Sequence, residues 1–318
     1  MKISVTKVRS QLGSLLTLFI SALLLDLFIK TTANDVGEYL KLWEILSNSG
    51  FYESFVLSRF EIGSLLVLWV CSQLFSGVTT VFLTGLIAIS VKFVLFKKYL
   101  NYPVVAFFIY VLTFAHIVDA NQIRLALALC VVFYASFTEP ESRYSYLYYA
   151  FFAILFHYSG IVILCLYLVN RPLLLVLGVV ILGLIFDALI VSIPSLSFAM
   201  IWISSDDDSV NLTNSFFIMQ LCIWIACAIN WHTLSQGQKR GAILNLFGVT
   251  IYIVFLDNPI VAHRIRELSQ IGIFAITFLG ERRLTDVKLV CLVCGGYIMF
   301  YNLYLMSTEM MSVLDIRF

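Results

Sequence analysis

Residues 172–191 read PLLLVLGVVILGLIFDALIV, an apolar run interrupted by a single charge, Asp187, and preceded by Arg171. The hydrocarbon core of a bilayer is about 30 Å thick, and a helix needs roughly 20 consecutive apolar residues to cross it. Periodicity says nothing in such a run, since every face is apolar; its length and its charged boundaries carry the signal. The same signature recurs outward in both directions, at 11–30, 78–96, 103–118, 122–137, 144–156, 159–170, 215–231, 242–256, 267–280 and 287–306. Composition agrees: 61% of the 318 residues are hydrophobic and only 12% are charged, about half the charged fraction of a soluble domain. The expected fold is all-α, a polytopic transmembrane bundle of about ten or eleven spans. It forms one membrane domain over 1–318, with outer loops at 31–60 and 192–214 as its main extramembrane segments.

Lys2, Lys7 and Arg9 precede the first run, as in a signal peptide. Leu12 to Ile29 is nevertheless longer than a signal h-region, and no small-residue cleavage site follows, so it reads as a retained span. Segments 144–156 and 159–170 are short for perpendicular crossings, and the chain between them, His157-Tyr158-Ser159-Gly160, reads as a break. Glu61 to Phe75 is apolar enough to cross, but only Ser76-Gly77 separates it from the next span. A crossing there would move Lys97 and Lys98 outside, so 61–76 is expected to be a re-entrant or interfacial half-helix. Irregular backbone at that depth is tolerated only where it lines a polar cavity.

With the N-terminus in the cytoplasm, Lys2, Lys7, Arg9, Lys97, Lys98, Arg143, Arg171, Lys239, Arg240, Arg282, Arg283 and Lys288 fall inside. The outer side receives the smaller set Lys30, Lys41, Arg59, Arg124, Arg264, Arg266 and Arg317. Short loops rich in Lys and Arg stay cytoplasmic, which favours this orientation. The net charge of +1 identifies no partner, because distribution matters more than the sum. All seven cysteines sit in apolar runs, and Cys291 with Cys294 forms a CxxC that lacks neighbouring ligands. These are expected to be packing thiols, and no metal site is expected. Asn211-Leu212-Thr213 is a formal glycosylation sequon expected to be coincidental.

Basic residues on the outer side run against the positive-inside bias and are therefore the informative ones. Arg59 lies in Ser58-Arg59-Phe60-Glu61. Arg124 follows Asp119-Ala120-Asn121-Gln122-Ile123. His263-Arg264-Ile265-Arg266-Glu267 follows Asp257-Asn258-Pro259. Charges this close to hydrocarbon either pair with one another or mark a substrate path. Pairing would use Asp35, Glu53, Glu61, Asp119 and Glu267. Arginine's planar fork matches phosphate oxygens, and a helix N-terminus beside Arg124 would add backbone N–H groups toward an anion. His157, at the break, is a candidate catalyst or a helix–helix hydrogen-bond partner, and His116 is a possible partner for Asp119. In the first outer loop, Asp35, Glu38, Tyr39, Trp43, Glu44, Tyr52 and Glu53 suit sugar binding, while Tyr39, Trp43 and Leu46 also recur at amphipathic-helix spacing.

In order along the chain stand Asp35 and Tyr39, Phe60-Glu61-Ile62-Gly63, the Lys97-Lys98 turn, Ile123-Arg124-Leu125-Ala126, Phe156-His157-Tyr158-Ser159, and Arg264 with Arg266. This order resembles the EpsG/Wzy-like family of bacterial polysaccharide polymerases over roughly residues 10 to 280. Two positions depart from the family pattern: Glu-Pro-Gly-Phe appears as Glu61-Ile62-Gly63-Ser64, and Leu125 replaces the glutamine that usually follows the arginine. The resemblance implies a multi-pass enzyme of the bacterial inner membrane. It would transfer a growing glycan from undecaprenyl pyrophosphate to a lipid-linked repeat unit on the outer face, with no cofactor and no nucleotide-sugar donor. Asp206-Asp207-Asp208 contains a DxD pattern but lacks a donor-binding domain. Implied partners are the lipid-linked oligosaccharide, the bilayer and a chain-length regulator, with no nucleic acid.

Within that resemblance, Arg124, His157, Glu61 and Asp35 are the catalytic candidates. Arg59, Tyr39, Asn121, Arg264, Arg266 and His263 are the substrate-binding candidates. A lipid-linked-sugar flippase, an O-antigen ligase-like glycosyltransferase and a membrane acyltransferase are the competing classes. One-sided polar groups, the absence of matching inverted halves and the lack of an acyltransferase histidine motif count against the first and third. The ligase shares the same arginine and histidine chemistry.

Overall fold

The computed structural model describes residues 5–31, 36–58, 60–115, 118–120, 122–142, 144–192, 212, 214–256, 258–281 and 283–313. These residues form fourteen α-helices and no strand. The elements coincide closely with the apolar runs. The chain divides into two compact units: 1–131 with 151–160 and 299–318, and 132–150 with 161–298.

In the first unit, α1 spans Val5–Thr31 and α5 spans Gly77–Tyr99. These two are apolar and long enough to cross a bilayer, at Gly13–Lys30 and Gly77–Tyr99. Between them lie α2 (Val36–Asn48), α3 (Phe51–Leu57) and α4 (Ile62–Ser72), and α6 (Pro103–Tyr110) follows. The segment 31–60, expected as a loop, is therefore largely helical among its described residues. α2 buries the stripe Tyr39, Leu42 and Leu46 and leaves Glu38 and Lys41 paired at 2.7 Å in solvent. α4 has 11 residues, about 16 Å at 1.5 Å per residue, so it is too short to cross. Side chain to backbone bonds hold it against α2: Trp69 Nε1 donates to Ser49 C=O at 3.3 Å and Gln73 Nε2 to Leu46 C=O at 2.8 Å. Within 61–76 the chain forms this one short helix, Ile62–Ser72.

α6 runs into a π-helical turn, Val111–Ala115, a distortion that often accompanies functional sites. α7 (Ile123–Phe137) and α8 (Ser145–Phe156) follow. At His157 the α-helical pattern stops, and Tyr158–Leu168 continues as an 11-residue 3₁₀-helix. At about 2.0 Å per residue such a stretch is longer than an α-helix of equal residue number. That extra length partly offsets the shortness of the run at 159–170.

The second unit centres on α11 (Gln236–Val254), packed against α9 (Pro172–Ser192), α10 (Ser215–Ile229), α12 (Pro259–Gln270) and α13 (Gly272–Phe278). A capping box starts α11, with Gln238 N–H donating to Ser235 Oγ and Ser235 N–H to Gln238 Oε1, satisfying two otherwise orphaned donors. α12 begins earlier than the apolar run at 267–280 because Pro259 occupies its first turn, where a fixed φ and a missing N–H suit the helix. α14 (Asp286–Val313) completes the fold. Its Cys291 and Cys294 pack with Cys227, Ile223, Leu234 and Ala242 in an apolar cluster.

Much of the molecular surface is apolar, including Leu15, Leu16, Phe19 and Leu23 on α1 and Leu173, Leu177 and Leu184 on α9. Contiguous apolar surface of this kind marks contact with a membrane or a partner. The other apolar helices, such as Ile123–Phe137 and Ser145–Phe156, have 10–17 residues. Residues 193–211 and 213, which include the acidic triplet and Asn211 and Thr213 of the sequon, lie outside the described residues.

Candidate functional site

Three short motifs far apart in sequence meet in the first unit. Glu61 is the N-cap residue of α4, in extended conformation, and its side chain makes no capping bond. Its carbonyl accepts from Ser64 Oγ at 2.8 Å and from Leu65 N–H at 2.9 Å, which starts the helix and leaves the carboxylate for other work. Glu61 Oε2 receives Arg124 Nη1 at 2.9 Å, and Oε1 receives the backbone N–H of Tyr158 at 3.3 Å. The motifs FEIG, IRLA and FHYS, each ordinary alone, are thus joined through one carboxylate.

Arg124 is the second residue of α7, where first-turn N–H groups lack intrahelical partners. Its guanidinium lies 4.0 Å from the centroid of the Phe60 ring, and Tyr39 packs edge-on against Phe60 at 5.8 Å. Stacking and the single bond to Glu61 hold the fork in place. Arg124 Nε is buried with no hydrogen-bond partner, so the group retains donor capacity for an anion. The Arg124 side chain is 25% exposed and that of Glu61 18%, so the site is half-buried. Close packing supports it from below: a Cβ on Gly63 would lie 2.7 Å from the Leu155 carbonyl oxygen, so only glycine lets α4 approach the end of α8.

His157 is buried and stacks on the Tyr158 ring at 4.3 Å. Its backbone N–H continues α8 to Ala153 C=O, while its Nδ1 accepts the Ser159 N–H at 3.1 Å. A neutral imidazole accepting at Nδ1 carries its proton on Nε2. As placed, His157 therefore acts through Nε2 as a donor. Tyr158, 58% exposed, presents an open aromatic face beside Glu61.

The remaining candidates separate from this group. Tyr39 is only 5% exposed, so its ring supports Phe60 instead of offering a face to a sugar. Asp35, Arg59 and Asn121 lie outside the described residues, as does His116, and so do the side chains of His263 and Arg264. Arg266 belongs to the second unit. It sits on the body of α12 rather than in an outer loop, because the helix starts at Pro259. It is 5% exposed, with its guanidinium 4.8 Å from the Tyr252 ring centroid and 5.6 Å from that of Phe216. Its backbone carbonyl accepts Gln220 Nε2 and Ser269 Oγ.

Among the described residues Asp119 pairs with Lys92 and Tyr110, not with the arginines expected from the sequence. It is fully buried and bonds Lys92 Nζ at 2.5 Å and Tyr110 Oη at 2.5 Å. A lone lysine inside an apolar run was the sequence signal for such a partner. Tyr158 and Phe60 carried no signal beyond their neighbours. Among the described residues no group of His, Cys, Asp and Glu is arranged to hold a metal ion.

Comparison with curated proteins and with solved structures finds no match. The model of the EpsG family matches residues 13–315, nearly the whole chain and all three convergent motifs. The chain therefore belongs to the EpsG family, the membrane-associated EpsG/Wzy-like polysaccharide polymerases.

Proposed function

We propose that this protein is a polytopic inner-membrane glycosyltransferase that polymerises polysaccharide repeat units carried on undecaprenyl pyrophosphate. The observation that supports it best is the convergence of Glu61, Arg124 and the His157–Tyr158 break, within a family of polysaccharide polymerases. The acceptor hydroxyl oxygen attacks the anomeric carbon of the growing chain, and the bond from that carbon to the pyrophosphate oxygen breaks. The pyrophosphate leaves with the electron pair, and the hydroxyl proton passes to a base. Direct displacement inverts the anomeric centre.

Departure of a pyrophosphate requires positive charge more than a proton. Arg124, with unused donors and a helix N-terminus behind it, supplies that charge. Glu61 is the base we propose, since its carboxylate faces the same space as the Arg124 guanidinium and the Tyr158 backbone. His157 contributes Nε2–H as a donor, and the exposed face of Tyr158 stacks on the acceptor sugar. Asp35, Arg59, Asn121, His263, Arg264 and Arg266 are further proposed contacts to phosphate or glycan, resting on their sequence positions. A chain-length regulator is a proposed partner on the same footing.

The test is deletion of the gene in its source bacterium, followed by surface-polysaccharide analysis and complementation. A polymerase predicts loss of long polymer with single repeat units retained, and no rescue by Arg124→Ala. Loss of single repeat units as well would point to a flippase or a ligase. Full rescue by Arg124→Ala would remove the site.

A further inference from the structure

We propose that the buried cluster Lys92–Tyr110–Asp119 is a positioning device that fixes Arg124 against Glu61; its catalytic consequence rests on the polymerase reading above. All three residues have zero exposure. Lys92 Nζ donates to Asp119 Oδ1 at 2.5 Å and to Tyr110 Oη at 2.7 Å, and Tyr110 Oη donates to Asp119 Oδ2 at 2.5 Å. Each carboxylate oxygen has its own donor, so the three side chains close into a triangle.

The position of the triangle gives it a use. Lys92 belongs to α5 and Tyr110 ends α6, while Asp119 lies between the π-helical turn and α7. The main chain around Asp119 is bonded continuously. Val118 N–H donates to Phe114 C=O, Ala120 N–H to Ala115 C=O, Gln122 N–H to Val118 C=O and Ala126 N–H to Gln122 C=O, at 2.8 to 2.9 Å. These bonds, made by residues on both sides of Asp119, anchor the entry to the helix that carries Arg124. α5 also approaches this turn directly, since a Cβ on Gly85 would lie 2.7 Å from the Asp119 carbonyl oxygen. Side chain and backbone of one residue thus tie the entry of α7 to α5.

Apolar packing would join α5 to α6 at least as strongly. Burying an ion pair is seldom a net gain over well-packed hydrophobic residues of similar volume, and its best-attested benefit is a unique register. Apolar side chains slide past one another at small cost, whereas a hydrogen-bonded charge triangle has one geometry. The residue that needs one geometry is Arg124, because an error of about 1 Å at a reacting centre can cost on the order of a hundredfold in rate.

The test uses the full-length protein in membranes, with lipid-linked repeat units extracted from the deletion strain. Two variants remove the triangle while preserving volume: Tyr110→Phe and the double variant K92M/D119N. With Arg124 present, Tyr110→Phe is expected to lower kcat about tenfold and K92M/D119N about a hundredfold. In an Arg124→Lys background, where the fork is already lost, the same changes should cost less than about twofold, since coupled residues are non-additive. Loss of folded protein would instead reduce activity by the same factor in both backgrounds, and that result would overturn the proposal.

A second readout needs no polymerisation. A short bis-maleimide should cross-link the E61C/R124C variant efficiently, and adding Tyr110→Phe or K92M/D119N should reduce the yield several-fold, with the single cysteine variants as controls. Unchanged cross-linking would overturn the positioning role. Absence of polymer synthesis by the wild-type chain, together with responsive cross-linking, would leave the positioning role standing and defeat the polymerase reading alone.

Discussion

Of the cation–carboxylate pairs in the first unit, two that link residues distant in sequence are made opposites by solvent. Glu61 and Arg124 meet at 2.9 Å with 18% and 25% of their side chains exposed. Lys92 and Asp119 meet at 2.5 Å with none. The half-buried pair has one direct bond and a guanidinium with donors to spare; the buried pair shares a tyrosine hydroxyl and has no access to solvent. An ion pair that keeps access to water and unused donors can exchange partners with a substrate. One that is sealed from solvent holds a shape. The chemistry is similar, and burial separates the roles.

The largest effect expected from breaking this contrast is on folding. Asp119→Ala leaves the Lys92 ammonium buried without its counter-charge, at a cost of about 3–5 kcal/mol. It should be read as loss of the protein from the membrane fraction or a large drop in its thermal midpoint in detergent. K92M/D119N removes both charges and should sit within about 1 kcal/mol of wild type by the same measurement. Equal destabilisation by the two would show that the ion pair does not matter as a pair.

Next in size is a loss of function with folding intact. Arg124→Ala should reduce polymer formation by about 10²–10³-fold, the usual consequence of deleting a transition-state charge donor. Its thermal midpoint should nearly match wild type, because a half-exposed ion pair contributes about 1 kcal/mol or less. Arg124→Lys keeps the charge but loses the planar fork, and should fall between. A strongly destabilised Arg124→Ala would place this pair with the buried one and erase the distinction.

Smaller again is Gly63→Ala. The added methyl meets the Leu155 carbonyl and forces α4 and α8 apart, at about 1–3 kcal/mol. Because that contact carries Glu61 toward Tyr158, activity should fall further than stability alone explains, measured as polymer formed per unit of folded protein. Smallest is Tyr158→Phe, which keeps the ring and should leave polymer formation within about twofold, whereas Tyr158→Ala should lose about 1–3 kcal/mol of sugar stacking, read as a raised KM for the lipid-linked acceptor.

Some of the fold could be read directly from the chain because it depends on run length. The helices at 172–192, 77–99 and 123–137 follow from apolar stretches bounded by charges. The half-helix at 62–72 followed from its brevity and from the lysine pair after the next span. The start of α12 at Pro259 is hidden in the sequence because its second turn, His263 to Glu267, is polar and interrupts the apolar run, so Arg266 reads as part of an outer loop. At the site, the motifs carrying Glu61, Arg124 and His157 were legible as motifs. Their meeting was not, since local sequence does not encode which carboxylate oxygen faces which donor across 63 and 97 positions of chain.

The amino-acid sequence by itself determined the solvent this chain is built for, the approximate extent of its helices and the family it belongs to. Each depends on composition, on run length or on residues in linear order. Only the tertiary structure decided that Glu61 serves Arg124 and Tyr158 together, that His157 has its Nδ1 engaged, and that Asp119 is held by Lys92 and Tyr110. The physical reason is that hydrogen bonds and ion pairs act over about 3 Å and depend on direction. Which groups come that close is fixed by the packing of helices, after the solvent has fixed that there are helices at all.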